Sequence, residues 1–540
     1  MLQAVLRPLP AKHMIENADI REFLIRSRST IIGVDKNLRE EVQEGAGIHV
    51  RNGVVEAIRP YERLRAEYPE LPLEGGADAI AFPGLINGHH HSGLTPFQLG
   101  VHYGPLELWL PQFRGMRYVG HRLDTLYSAI EMLESGTTTV QHIHPGLTGD
   151  QDNWTDLSTQ VIRAYREIGM RVSFSFMVRD RNQLVHEDDD VFLASLPEDD
   201  ATYWQPILAG SKAPIKCHLE WFKAQKSVWA GADPVGVSWQ LAPANLHWCT
   251  DECLLAIFDT AMRTRSKVHM HLVETQFQAE YSYRTYGKSA VRHLADLGCL
   301  TSNLTIGHGI WVDEKDLDLI HECGCSICHN ASSGLRLASG IAPVNEMLKK
   351  SIPVCLGIDQ AGLNDDRDMF QEMRLAWALH REPGLETFRP SAGHIFKMAT
   401  EHGGATTGFD RQIGRLDVGK AADIVLVKWN DIARPFIDRG IPLIDALLQR
   451  TKRMPADTVF VGGRKVVEEG QVTLIDRDSI YDEIKDRLML PLSLEEVEAR
   501  QRTACLLDHI DHWFKSRYPT EVQHHYRFNA AAGSIDPSRK

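Results

Sequence analysis

Residues 83–93 read PGLINGHHHSG. A short apolar run closes on a small turn and then on three consecutive histidines. In an extended chain, residues two apart point to the same side. His89 and His91 therefore face one way and His90 the other. Two imidazoles aimed together suit one metal ion, but a solvated histidine-rich turn fits the same letters. The choice depends on what this run is part of.

Working outward, the same texture recurs. Apolar runs lie near 81–87 and at 137–143 (TTTVQHI), 171–177 (RVSFSFM), 235–241 (VGVSWQL), 267–272 (KVHMHL), 303–308 (NLTIGH), 325–329 (CSICH) and 352–358 (IPVCLGI). Each precedes a helical or loop segment, and that alternation predicts a parallel sheet. Eight such units in roughly 300 residues predict an α/β fold, a closed (β/α)8 TIM barrel, which gathers its reactive groups at the C-terminal ends of the strands. Four of the runs end in such groups: His89 and His91, His271 with Glu274 three residues on, His308, and Asp359. Singly, each reads as a cap or a buried polar residue. Jointly, at one predicted rim, they read as a catalytic site, with Glu274 a proton carrier beside metal-activated water.

The flanks differ. Short β-type runs precede the barrel (REFLIRS, GIHVRNGVVEAI, ADAIAFPG), and Asn52-Gly53 is a hairpin turn signal. Similar runs return at 413–475. The two flanks, 20–80 and 410–475, are expected to pair into one small β domain beside a barrel spanning 81–409. Residues 476–540 are expected to form a helical extension, with Ser493 and Glu496 at capping-box spacing.

Composition narrows the function. The 540 residues carry 43% hydrophobic and 24% charged side chains and a net charge of −13, a globular balance unsuited to nucleic acid or an anionic membrane. No apolar run is long enough to span a bilayer. The opening stretch, MLQAVLRPLPAKHMIENADI, lacks the apolar core of a signal peptide. Nine scattered cysteines read as reduced thiols of a cytoplasmic protein. The expected partner is a small-molecule substrate. The helical tail and the apolar loop at 101–113 suggest a homodimer or larger homo-oligomer.

The stretches FPGLINGHHHS, LESGTTTV, VHMHLVET, LTIGHGIWV, SICHNASSGLRLASGIAPVNEML, VCLGIDQAGLNDDRDMFQEMRLA, MATEHGGA and IGRLDVGKAADIVLV follow one another in order across roughly residues 45–475. In this they resemble the amidohydrolase superfamily, and within it the aminohydrolase group of S-adenosylhomocysteine deaminase, guanine deaminase and atrazine chlorohydrolase. The resemblance implies a barrel flanked by a β-sandwich built from both ends of the barrel sequence. It implies that His89, His91, His271 and Asp359 hold one divalent metal ion, zinc first and iron as its rival. Glu274 matches the proton shuttle and His308 the histidine that orients water or substrate. Asp359 with His308 would take the proton of the water that attacks. Strand four, VGVSWQLAPAN, has neither the lysine nor the glutamate that bridges two metals in other members, so a single ion is expected. Ala331 and Gly334 depart from the family's usual proline and asparagine.

The implied reaction is hydrolytic deamination of a small amino-substituted nitrogen heterocycle by a metal-bound hydroxide, with a purine-, pterin- or triazine-like ring. Cleavage of an amide, urea, carbamate or aryl halide is the alternative, and a non-catalytic structural homologue the third reading. Substrate contacts are sought in the loops. Gln112, Phe113 and Arg114 are candidates, as are Asn245, His247 and Trp248, whose rival reading is capping and lid packing. His142 and His144 read first as pocket wall or buried hydrogen-bonding residues, with substrate recognition as the sharper alternative. Trp109 reads as a core anchor, and the acidic run Glu187 to Asp190 as a solvated loop.

Overall fold

The computed structural model describes residues 22–91, 93–146, 149–212, 214–230 and 236–518. The expectations for the opening twenty residues and for the chain beyond 518 lie outside the described residues.

Two parallel sheets carry the centre of the fold. The first is built from β1 (Leu85–His90), β2 (Thr137–His144), β3 (Arg171–Val178) and β4 (Val237–Trp239), and Ala242–Pro243 resumes the pairing with β3. The second holds β5 (Val268–Leu272), β6 (Leu304–His308), β7 (Ser326–His329) and β8 (Val354–Leu356), in that order. Isolated parallel bridges link the sheets at both edges, Leu241 to Val268 and His90 to Asp359. Every residue of β1, β3, β5 and β6 is buried. Burial on both faces explains why these strands read as continuous runs and not as alternating ones. Because the strands run parallel, their C-terminal ends lie on one side.

The run near 81–87 corrects one boundary. It holds parts of two strands, Ala79–Pro83 and β1, separated at Gly84. A Cβ there would sit 2.1 Å from the Thr138 hydroxyl, so only glycine allows β1 to start this close to β2. Ala79–Pro83 belongs to a seven-stranded sheet in which it pairs antiparallel with Ile424–Lys428. Chain from before and after the parallel sheets therefore meets directly in one sheet. A four-stranded sheet, including Glu22–Arg26 and Ala46–Arg51, packs against the larger one. Phe23, Ile25, Ile48 and Val50 share a cluster with Ala81, Ile424, Leu426 and Phe460.

This β region is tied to the parallel strands by a buried ion pair. Arg171 at the start of β3 donates Nε and Nη2 to Asp423, at 3.1 and 3.0 Å. Asp423 also accepts from the Gly462 N–H at 2.7 Å. Two helices, Arg477–Met489 and Leu494–Arg517, follow. Ser493 and Glu496 make the expected reciprocal cap. Trp513, Phe514 and Tyr518 then pack with Leu184, Val185, Phe192 and Trp204.

Two further readings are corrected. Glu187 to Asp190 is not a solvated loop. Asp188 caps the short helix Asp189–Leu193, and Asp189 is buried against Lys212 at 2.9 Å. The cysteines are not all scattered either. Cys325 and Cys328 form a Cys-x-x-Cys at β7, but they face different acceptors, the Thr301 carbonyl and Asn330 Oδ1. All nine cysteines are free. No helix among the described residues is long and apolar enough to cross a membrane.

Candidate active site

β1 delivers His89 and His91, β5 delivers His271, and the turn after β8 delivers Asp359. The Asp359 backbone N–H bonds to His89 O at 2.8 Å, which stitches the last strand's end to the first. Both His308 and Asp359 hold left-handed backbone, with φ of 71° and 61°. Such φ values are uncommon for residues with a side chain and cluster at functional sites.

The side chains converge. His89 Nε2 and His271 Nε2 each lie 3.1 Å from His91 Nε2, and Asp359 Oδ1 lies 3.3 Å from the same nitrogen. His89 Nε2 to Asp359 Oδ1 is 3.8 Å. All four groups are paired elsewhere, His89 through Nδ1 to His269 Nε2 at 2.8 Å. His91 Nδ1–H donates to Ile143 O at 2.7 Å and His271 Nδ1–H to Ala244 O at 3.0 Å. The Ser333 hydroxyl donates to Asp359 Oδ2 at 2.6 Å. Both of those histidines therefore turn the lone pair of Nε2 inward. Burial, then the neighbouring histidines, holds His271 and His89 well below the usual histidine range, so they are neutral.

Two inward lone pairs 3.1 Å apart repel unless a cation lies between them. Ligand nitrogens on a tetrahedral zinc, ~2.0–2.1 Å from the ion, stand about 3.3 Å from one another. The donor set and its spacing thus fit one divalent ion of that kind, held through backbone-oriented imidazoles.

Glu274 and His308 flank this cluster. Glu274 is buried, and its N–H donates to Gln278 Oε1 at 2.8 Å. Its Oε2 lies 3.7 Å from His308 Nε2. Burial, then the charge of Asp359, then Glu107 pushes the Glu274 carboxyl far above the ordinary carboxylate range. Burial takes His308 down to about 4, opposed by Asp359. A carboxyl that keeps its proton beside a neutral imidazole makes a competent proton donor.

A cavity of about 230 Å³ is lined by Gln278, His247 and Glu107; none of the converging groups lines it, and Gln278 links it to them through its bond to the Glu274 N–H. Phe113, Arg114 and Trp248 also line it, while Gln112 turns its amide back to Leu108 O at 2.9 Å. Asn245 is buried as a cap on the turn Leu246–Trp248 and bonds Gln278 at 3.0 Å. His142 bonds Tyr165 at 2.9 Å and lies 3.4 Å from His144; neither lines the cavity. Trp109 is core, packed with Val101, Leu106 and Leu337.

Sequence reasoning missed His269, 2.8 Å from His89 Nδ1. The alternation in HMHL carried that signal, since His269 must share a side with His271. It also missed Ser333 and Asn330, which touch Asp359 and His308 and lie in and just before the helix Ala331–Arg336, where the family pattern departs.

The fold and the site together define a class, and direct comparison gives the same one. The amidohydrolase family profile matches residues 80–466, and the chain belongs to that family. The chain is 28% identical over 453 residues to the 5-methylthioadenosine/S-adenosylhomocysteine deaminase of Caldanaerobacter subterraneus subsp. tengcongensis, covering 83% of this chain and 94% of the relative. It is 26% identical to the 5'-deoxyadenosine deaminase of Methanopyrus kandleri, covering 84% and 97%. A crystal structure of an adenosine deaminase from Xanthomonas campestris with bound zinc superposes with a TM-score of 0.69 at 22% identity, covering 89% and 98%. That likeness establishes the fold.

Proposed function

We propose that this protein is a metal-dependent aminohydrolase that releases ammonia from an amino-substituted purine-type ring, with adenosine derivatives as the substrate class. The carrying observation is the convergence of three histidine Nε2 atoms and Asp359 beside Glu274 and His308. The deaminases among its relatives supply the substrate class. The two edge-bridged sheets are read as one closed (β/α)8 barrel. The flanking sheets, from 22 to 83 and 410 to 475, are read as a β-sandwich, and the chain from 476 as a helical extension.

His89, His91, His271 and Asp359 would hold the ion, with zinc favoured by the three imidazoles and one carboxylate. Bound there, the ion supplies Lewis-acid activation of water, bringing its pKa from 15.7 toward ~7. Glu274 gives its proton to the ring nitrogen next to the carbon under attack, which removes charge from that carbon's tetrahedral state. Now a carboxylate, it takes the remaining proton of the attacking oxygen and passes it to the departing amine, and the proton taken up by Asp359 returns to Glu274 to close the cycle. His308 and Asp359 orient the attacking oxygen, and Asp359 takes its proton. Ser333 fixes the Asp359 carboxylate, and Gln278 fixes the backbone at Glu274. The nine free cysteines support a reducing, cytoplasmic setting.

The test is elemental analysis of the purified protein together with ammonia release from 5'-methylthioadenosine, S-adenosylhomocysteine, 5'-deoxyadenosine, guanine and an aminotriazine. About one divalent ion per chain and ammonia from an adenosine derivative are expected. Turnover of an amide, urea, carbamate or aryl halide, with no ammonia from any ring, would overturn the proposal.

A further inference from the structure

The cavity is lined by two arginines that the proposed chemistry does not use. Arg179 directly follows β3, and its guanidinium lies 3.7 Å over the Trp248 ring. Trp248 in turn packs on His247, with ring centroids 4.3 Å apart. Arg114 enters from the turn Leu110–Gly115, on the opposite side in sequence. Among the described residues, neither arginine makes an ion pair, and Arg179 Nε is buried with no hydrogen-bond partner. The acid that acts on Arg114 is Asp189, which is already held by Lys212 at 2.9 Å and by the Gln183 N–H at 2.6 Å. Arg114 in turn acts on Arg179. Burial, then the charge of Arg114, pulls Arg179 down to about 9, so it stays a cation at neutral pH.

Holding two half-buried like charges on one cavity wall with no direct ion pair to either is costly. Planar guanidinium forks match carboxylate and phosphate oxygens. Gln278, bonded to the Glu274 N–H, lines the same cavity, so one ligand filling the space would meet the arginines and also the residue that holds the backbone of the proton donor.

We propose that Arg114 and Arg179 form an oxyanion subsite, which holds a carboxylate or phosphate carried by the substrate at a distance from the ring that loses ammonia. The assignment rests on the deaminase reading for its location relative to the chemistry. The rival is purely structural: an arginine stacked on tryptophan to pack the cavity wall.

Two measurements on the metal-loaded enzyme decide it. The first is kcat/KM for three adenosine derivatives: neutral 5'-methylthioadenosine, S-adenosylhomocysteine with its carboxylate, and adenosine 5'-monophosphate. Wild type is expected to favour an anionic tail at least about tenfold, and the better of the two tails identifies the oxyanion. In Arg179→Met and Arg114→Met the anionic-to-neutral ratio should fall about 10–100-fold, as for other hydrogen bonds between charged groups. Arg179→Lys should restore part of it. An equal loss on all three substrates, or an unchanged ratio, overturns the subsite. The second measurement is calorimetric binding of inorganic phosphate at fixed ionic strength. It should weaken at least tenfold in the Arg114→Met/Arg179→Met double variant at equal metal content, and unchanged affinity overturns the subsite. If no adenosine derivative yields ammonia, the deaminase reading fails, while the phosphate titration still decides on the arginines.

Discussion

Replacing Glu274 by glutamine isolates the proposed proton donor. Glu274 is 4% exposed, and burial with the nearby carboxyls raises its affinity for a proton. Glutamine has the same shape and is also neutral, so the swap changes little in packing, about 1 kcal/mol or less. It cannot donate a proton. General acid–base catalysis is typically worth ~10²–10⁴ in rate, or about 3–5 kcal/mol of barrier at 1.36 kcal/mol per decade. Glu274 lies outside the four converging groups, so metal content should not change. The expected pattern is therefore a kcat loss of ~10²–10⁴ with KM and metal stoichiometry nearly unaltered. Ammonia release, elemental analysis and a thermal melt on one preparation read all three. Turnover within about threefold of wild type would remove Glu274 from the reaction. Loss of metal would mean that its carboxylate sits in the coordination sphere and that the geometry has been misread.

Three other predictions follow from local contacts. A Cβ on Gly307 would lie 3.1 Å from His89 Cε1 and 3.3 Å from His269 Nε2, so Gly307→Ala must displace that pair; metal affinity should fall ~10–100-fold by chelator competition. Asp423→Asn takes the negative charge from a fully buried Arg171 and should cost ~3–5 kcal/mol in urea unfolding, with a loss under about 1 kcal/mol refuting the clamp. Burial raises Glu107 from 4.5 to about 7 against the opposing Thr275 hydrogen bond. The unfolded chain therefore loses this proton first, and the contribution of Glu107 to stability declines between about pH 4.5 and 7. The decline is at most about 3 kcal/mol, trimmed by solvent in the cavity. Glu107→Gln should abolish it when unfolding free energies at pH 5 and pH 8 are compared.

The four converging residues, His89, His91, His271 and Asp359, were legible because each one follows a run of strand-forming residues, and parallel strands send all such ends to one side. Boundaries were less legible. Nothing in AIAFPGLING marks Gly84 as the change of sheet; that depends on Thr138, a contact made more than fifty residues away. Asp189 is hidden in an acidic run because its partner, Lys212, lies beyond an intervening helix, Glu198–Gly210. His269 was in plain view in HMHL, and a consistent use of period two finds it. Arg179 carried no local signal, since its meaning comes from Trp248 and Arg114, which the fold brings to it from both directions along the chain.

The left-handed backbone at His308 and Asp359 bears on how this enzyme can be improved. Conformations of this kind cost of order 1–3 kcal/mol each and persist only where surrounding contacts enforce them. Glycine at either position would release that tension while discarding the working side chain. Selection for heat resistance alone would therefore drift toward inactive variants at these two positions, so screens for hardier forms must score turnover alongside melting temperature.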